Sequence, residues 1–147
     1  MFKHILIPTD GSPVAAKAVK AGIALAQQTG ARITGFYAMD PLPTHLYGEG
    51  HVTNRQLVAE FEKRNRTFAR KQVAKFAREA HRAGIKFDSL VETARTPYEG
   101  IVAAAKKTEC DLVLMASNGR RGLSRLTLGS VTDKVIQLSD VPVLVYR

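Results

Sequence analysis

The residues best suited to chemistry lie in the run Ala116-Ser117-Asn118-Gly119-Arg120-Arg121-Gly122, which continues through Leu128 to Gly129-Ser130. Glycine lets backbone N–H groups approach an anion with no Cβ in the way. Ser130 then opens a segment, to about Leu138, whose apolar spacing reads as a helix. The first N–H groups of a helix have no internal acceptor, and the positive end of its dipole favours negative charge. The Ser130 hydroxyl can donate one more hydrogen bond, and Arg120, Arg121 and Arg125 add positive potential. This chemistry suits the phosphates of a nucleotide. A surface loop whose glycines serve only turns is the plainer alternative. Its place between a strand and a helix start favours phosphate.

A second loop, Pro8-Thr9-Asp10-Gly11-Ser12, follows the first strand and would open into the same crevice. A carboxylate beside phosphates is repulsive unless it binds ribose hydroxyls or a bridging Mg²⁺. Asp10 reads equally well as a turn residue ahead of Gly11.

Nothing in the sequence makes a convincing catalytic constellation. His4, His45, His51 and His81 are scattered, and His45 and His51 with Glu49 match no zinc spacing. Ser12, Ser117 and Ser130 have no sequence-adjacent base to mark a nucleophile. Hydrolysis of ATP would require a positioned water and charge stabilisation, of which the arginines could supply only the second. The single cysteine, Cys110, lies between Glu109 and Asp111. Those carboxylates are expected to raise its pKa and leave it a passive residue at a strand start. One cysteine cannot close an internal disulfide, which favours a reducing compartment.

The elements that must hold these loops alternate along the chain. Strands are expected at Phe2–Pro8, Ala31–Met39, Ile85–Val91, Leu112–Ala116 and Val141–Tyr146. Ser12-Pro13 caps a first helix with the stripe Val14, Ala18, Ala21 and Leu25, which stops at Gly30. Asp40–Gly50 reads as a loop. A long helix runs from about Thr53 to Ala83 on the stripe Leu57, Phe61, Phe68, Val73, Phe76 and Ala80. Thr96-Pro97-Tyr98-Glu99 is a capping box that opens a helix ending near Lys107. Such alternation implies right-handed crossovers and a parallel sheet covered on both faces. Ligands of these sheets sit at the carboxyl ends of the strands, where strand order reverses.

At 147 residues the chain suits one domain, 1–147, with no repeat or linker. Its composition is 45% apolar and 24% charged, ordinary for a globular protein. The net charge is +9, with nine Lys or Arg and three Glu between Arg55 and Arg82. That run reads as a solvated helix face. The alternative is an attraction for anions such as nucleotides, nucleic acid or acidic proteins; nucleic acid is not an expected partner, because the basic residues are spread along the helix and few aromatics are free to stack on bases. No stretch reaches the roughly 20 apolar residues of a membrane span, and the apolar run before Pro8 is too short for a signal peptide. A cytoplasmic location without membrane contact follows as the expectation.

Pro8-Thr9-Asp10-Gly11-Ser12, Ser117-Asn118-Gly119-Arg120-Arg121-Gly122-Leu123, Leu128-Gly129-Ser130-Val131 and Val141-Pro142-Val143-Leu144-Val145 together resemble the universal stress protein family over the whole chain. The family's ATP-binding members carry a glycine, two residues, a second glycine, nine residues, then glycine and serine or threonine. Here Gly119, Gly129 and Ser130 fit that pattern, but Ala116 stands at the first glycine. If the site needs φ > 0 there, alanine costs on the order of 1 kcal/mol. The resemblance implies a Rossmann-like, adenine nucleotide alpha hydrolase-like fold, a five-stranded parallel sheet of order 3-2-1-4-5. It implies an ATP-binding stress-response regulator, with Mg²⁺ or Mn²⁺ as the metal if one is used. Pro8, Thr9, Asp10, Ala38, Ala116, Gly119, Arg120, Gly129, Ser130, Val131 and Thr132 would form the nucleotide site. Asp10 would face the ribose or metal, and Ala38 would offer backbone groups to the adenine. It also implies a homodimer through Val141–Tyr146. A slow ATPase or autophosphorylating protein, and a dimeric interaction protein without nucleotide, remain as alternatives.

Overall fold

Short apolar runs and helical stripes each become the element they imply. The chain forms β1 (His4–Pro8), α1 (Pro13–Thr29), β2 (Arg32–Met39), α2 (Arg55–Arg82), β3 (Phe87–Thr93), α3 (Pro97–Lys107), β4 (Leu112–Ala116), α4 (Ser130–Leu138) and β5 (Val143–Tyr146). This computed structural model describes residues 1–43, 55–118 and 128–147. The start expected at Thr53 and the loop residues 44–50 lie outside them.

Local chemistry sets the helix ends. The Ser12 hydroxyl accepts the Ala15 N–H at 3.2 Å, and Pro13 takes the first helical turn. Gly30, at φ +71°, closes α1 by donating its N–H to the Ala26 carbonyl at 2.8 Å. Thr96 caps α3 in the same way as Ser12 caps α1, accepting from the Glu99 N–H.

All five strands run parallel in the order β3-β2-β1-β4-β5. Alternate residues feed opposite faces. Ile5, Ile7, Ile33, Leu112 and Leu114 pack with α1 and the C-terminal half of α2. Leu6, Phe36, Val113 and Met115 pack with Ile101, Ala104 and Val135 of α3 and α4. Strand order turns round between β1 and β4, which pair through Ile5–Leu112 and Leu6–Val113.

The structure corrects several boundaries and stripes. β1 begins at His4, and β3 and β5 each start two residues later than the sequence suggests. The buried stripe of α1 is Ala15, Ala18, Val19, Gly22, Ile23 and Ala26, rotated from the one expected. Small residues set that seat: a Cβ on Gly22 would lie 2.3 Å from the Ile7 side chain. In α2 only Ala69, Gln72, Val73, Phe76 and Ala80 are buried. Leu57 and Phe68, placed on the core stripe by spacing, are 54% and 46% exposed. The sheet ends beneath the second half of this helix, so its first half lies beyond the core.

Candidate site at the carboxyl ends of β1 and β4

The loops after β1 and β4 leave from the same end of neighbouring parallel strands. Beyond Pro8, the Thr9 N–H reaches across to the Phe36 carbonyl at 2.8 Å, and Thr9 is buried. Its hydroxyl accepts the Gly11 N–H at 3.1 Å. The Asp10 carboxylate accepts the Ser12 N–H at 2.9 Å. This is the local turn that Asp favours, and it holds the carboxylate at the mouth of β1. Gly11 sits at φ +78°, where other residues are strained, and an added Cβ would meet Gln72 Oε1 at 2.8 Å.

On the other side of the crevice, α4 is docked onto the end of β4. The Gly129 N–H donates to the Ser117 carbonyl at 2.8 Å. The Thr132 hydroxyl, almost fully buried, donates to the carbonyls of Ala116 and Ser117 at 3.0 and 3.2 Å. Thr132 is therefore a clamp between helix and strand, a role its spacing did not reveal. Gly129 is the N-cap of α4 and has no side chain to satisfy the helix N–H groups. A Cβ there would meet the Ser117 carbonyl oxygen at 3.0 Å and Asn118 Oδ1 at 3.1 Å. Ser130 is exposed at the first helical position, with Val131 half-buried beside it.

Ala116 is the last residue of β4, paired with Tyr146, and it is part of the core. Among the described residues the only non-glycine with positive φ is Glu109. The conformational penalty expected at Ala116 is thus absent, because the position is ordinary strand. Gly119, Arg120, Arg121 and Arg125 lie outside the described residues, as do His45, Glu49 and His51.

Ala38 lies near the end of β2. Strand alternation sends the Phe36 carbonyl to Thr9 on the β1 side and the Met39 carbonyl to Ala94 on the other. The backbone of Ala38 accordingly faces the β1 side, past Pro8, the last β1 residue in the ladder. Among the described residues no group of three or more His, Cys, Asp or Glu could hold a metal by itself.

The titratable residues set aside in the sequence sit at the opposite end of the sheet. His4 is buried, with Nε2 2.8 Å from the Thr34 hydroxyl. Nδ1 has no hydrogen-bond partner among the described residues. Burial, with a smaller push from Arg32, holds its pKa below the usual 6.5, against Asp111, Asp88 and the Thr108 backbone. Asp111 accepts the N–H groups of Lys3 and His4 at 2.8 and 3.0 Å. Partial burial works the other way, but these bonds prevail and keep its pKa below 3.8. Burial is also the chief cause of the raised Cys110 pKa, with Asp111 a lesser one, so the carboxylates matter less than the sequence suggests.

A five-stranded doubly wound sheet with a helix N-terminus docked at its switch point defines a Rossmann-like α/β protein. The profile of the universal stress protein family matches residues 1–147, and the chain belongs to that family. A universal stress protein of Methanocaldococcus jannaschii is 36% identical over 148 residues, covering 100% of this chain and 83% of that protein. One from Thermus aquaticus is 33% identical over 147 residues and covers both in full. Among solved structures, another Methanocaldococcus jannaschii protein superimposes with a TM-score of 0.82 at 28% identity, covering 99% of this chain and 95% of that one. More distant ones share the fold. A universal stress protein in complex with cAMP has a TM-score of 0.71 at 21% identity, covering 99% of this chain and 97% of that one. A family member from Arabidopsis thaliana with AMP bound has a TM-score of 0.68 at 13% identity, covering 97% and 90%.

Proposed function

We propose that this protein binds ATP in the crevice between the ends of β1 and β4 and acts in the cytoplasm as a nucleotide-binding regulator of the stress response. The observation that carries the reading is the docking of α4. Its N-terminus is fixed to β4 through Gly129 and Thr132, with a glycine cap that brings no side-chain oxygen of its own to a helix end suited to an anion. Gly119, Gly129, Ser130 and Val131 would hold the phosphates, with Arg120 adding charge. Ala38 would offer its backbone to the adenine, and Thr9 with Asp10 would face the ribose. A Mg²⁺ or Mn²⁺ ion would come with the phosphates, since one carboxylate plus phosphate oxygens suffices for such an ion. That two solved structures of the same fold hold cAMP and AMP supports an adenine nucleotide.

The dimer would form by pairing β5 edges across a two-fold axis. Mass spectrometry of small molecules released from freshly purified protein tests the nucleotide reading. ATP or another adenine nucleotide near one per chain is the expected result. Protein that releases none, and takes up none when incubated with Mg-ATP, would overturn it.

A further inference from the structure

Helix α2 holds nine Lys or Arg against three Glu, so six of the protein's nine net positive charges sit on this one element. Their placement is one-sided. Ala69, Val73, Phe76 and Ala80 are buried against the sheet, and the exposed Arg64, Lys71, Lys75, Arg78 and Arg82 fall on the opposite side of the helix, with Lys63, Arg66 and Arg70 exposed around it. Arg64, Lys71, Lys75, Arg78 and Arg82 recur at intervals of seven, four, three and four, which makes a single row along a helix. At 1.5 Å per residue that row is about 27 Å long. No acidic residue falls between Lys63 and Arg78. Within that span the uncharged exposed residues are Thr67, Ala74 and Phe68, and Phe68 stands in the row between Arg64 and Lys71 with its ring edge-on to Tyr37.

The composition of this face selects the partner. A protein interface is anchored by several apolar or aromatic residues in a core depleted of lysine, and among the five cations of this row stands a single aromatic, Phe68, already packed on Tyr37. Insertion into a membrane surface requires an apolar helix face beside the basic one, and here that face is spent on the sheet. Single-stranded nucleic acid would require stacking aromatics. The phosphate backbone of a duplex asks only for a row of cations, and counterion release drives its binding. We infer that the outer face of α2 binds the phosphodiester backbone of double-stranded nucleic acid, without base readout. The shortage of aromatics that argued against nucleic acid in the sequence bears on single strands alone.

The test is fluorescence anisotropy of a labelled 20-base-pair DNA duplex with the full protein, titrated from 50 to 200 mM salt. The probe should bind with a log–log salt slope of about −4 to −5, the value for five phosphate contacts. The variant R64Q/K71Q/K75Q/R78Q should flatten the slope to about −1 and weaken binding at least about 100-fold at 50 mM salt. A control with the same charge loss elsewhere on the surface, K17Q/K20Q/K86Q/K106Q, should keep most of the affinity and the slope. All eight side chains are exposed, so circular dichroism should show both variants folded. Equal weakening by the two variants would mean that net charge alone attracts the probe and would overturn the inference. So would absence of binding at 50 mM salt, or tighter binding to polyglutamate or phosphatidylserine vesicles than to the duplex.

Discussion

Thr132, expected at the nucleotide site, serves the scaffold. Its hydroxyl holds two β4 carbonyls from a buried position. Thr132→Val keeps the shape and removes the hydroxyl from both acceptors, of which Ser117 keeps the Gly129 N–H, so thermal unfolding should show a loss of about 1–3 kcal/mol. Ala116 makes the converse case. It sits in regular strand with its methyl in the core, so Ala116→Gly should cost about 0.5–1 kcal/mol by urea denaturation. It should not tighten ATP binding, since no backbone strain is there to relieve. His4 gives the molecule a pH dependence. Its folded pKa lies below the unfolded 6.5, so the unfolded chain binds the extra proton first. Stability should be unaffected by this group above about pH 7 and fall as pH drops through 6.5 toward the lowered value. Asp111 adds a separate loss only below about pH 4. Melting temperatures of the parent and His4→Gln between pH 5 and 8 check the first window: the parent should lose stability there and the variant should not.

At the scale of elements, β5 decides the assembly proposal. Val143 and Val145 are half-buried, and Val143 packs on the core, whereas Leu144 and Tyr146 are 38% and 36% exposed. A lysine at Val143 would therefore injure the fold. Leu144→Lys sets two charges near the proposed axis from the solvent face and should yield a monomer with an unchanged melting curve at low concentration. Light scattering checks it, and a parent that is already monomeric would exclude the β5 dimer. The elements themselves were legible because strand and helix periods differ sharply and because Ser12, Gly30 and Thr96 mark ends by chemistry that acts within one turn. What was not legible depends on contacts distant in sequence. The seat of α1 follows from Gly22 against Ile7, which a search for large apolar residues passes over. The exposure of Leu57 and Phe68 follows from where the sheet ends, which helical spacing cannot register.

For the whole molecule, the parallel order brings the loops after Pro8 and Ala116, far apart in sequence, to the carboxyl ends of neighbouring strands, and the sequence located both. The phosphate contacts proposed for the glycines and Ser130 were read from residue type, and of the two readings open for Asp10 the turn is seen in the structure. The clamp by Thr132 and the outward backbone of Ala38 were not, because strand pairing creates them. Positive charge is uneven at this scale, with α2 on one sheet face and the proposed nucleotide crevice at the strand ends. Calorimetric titration of Mg-ATP into the parent and Ser130→Asp tests the central claim most directly. Aspartate suits a helix N-terminus, so the variant should fold, while its charge would oppose phosphates placed there. The account predicts one ATP per chain for the parent and at least about tenfold weaker binding for the variant. Equal affinity in the two proteins, or no heat of binding with nucleotide-free parent, would contradict it.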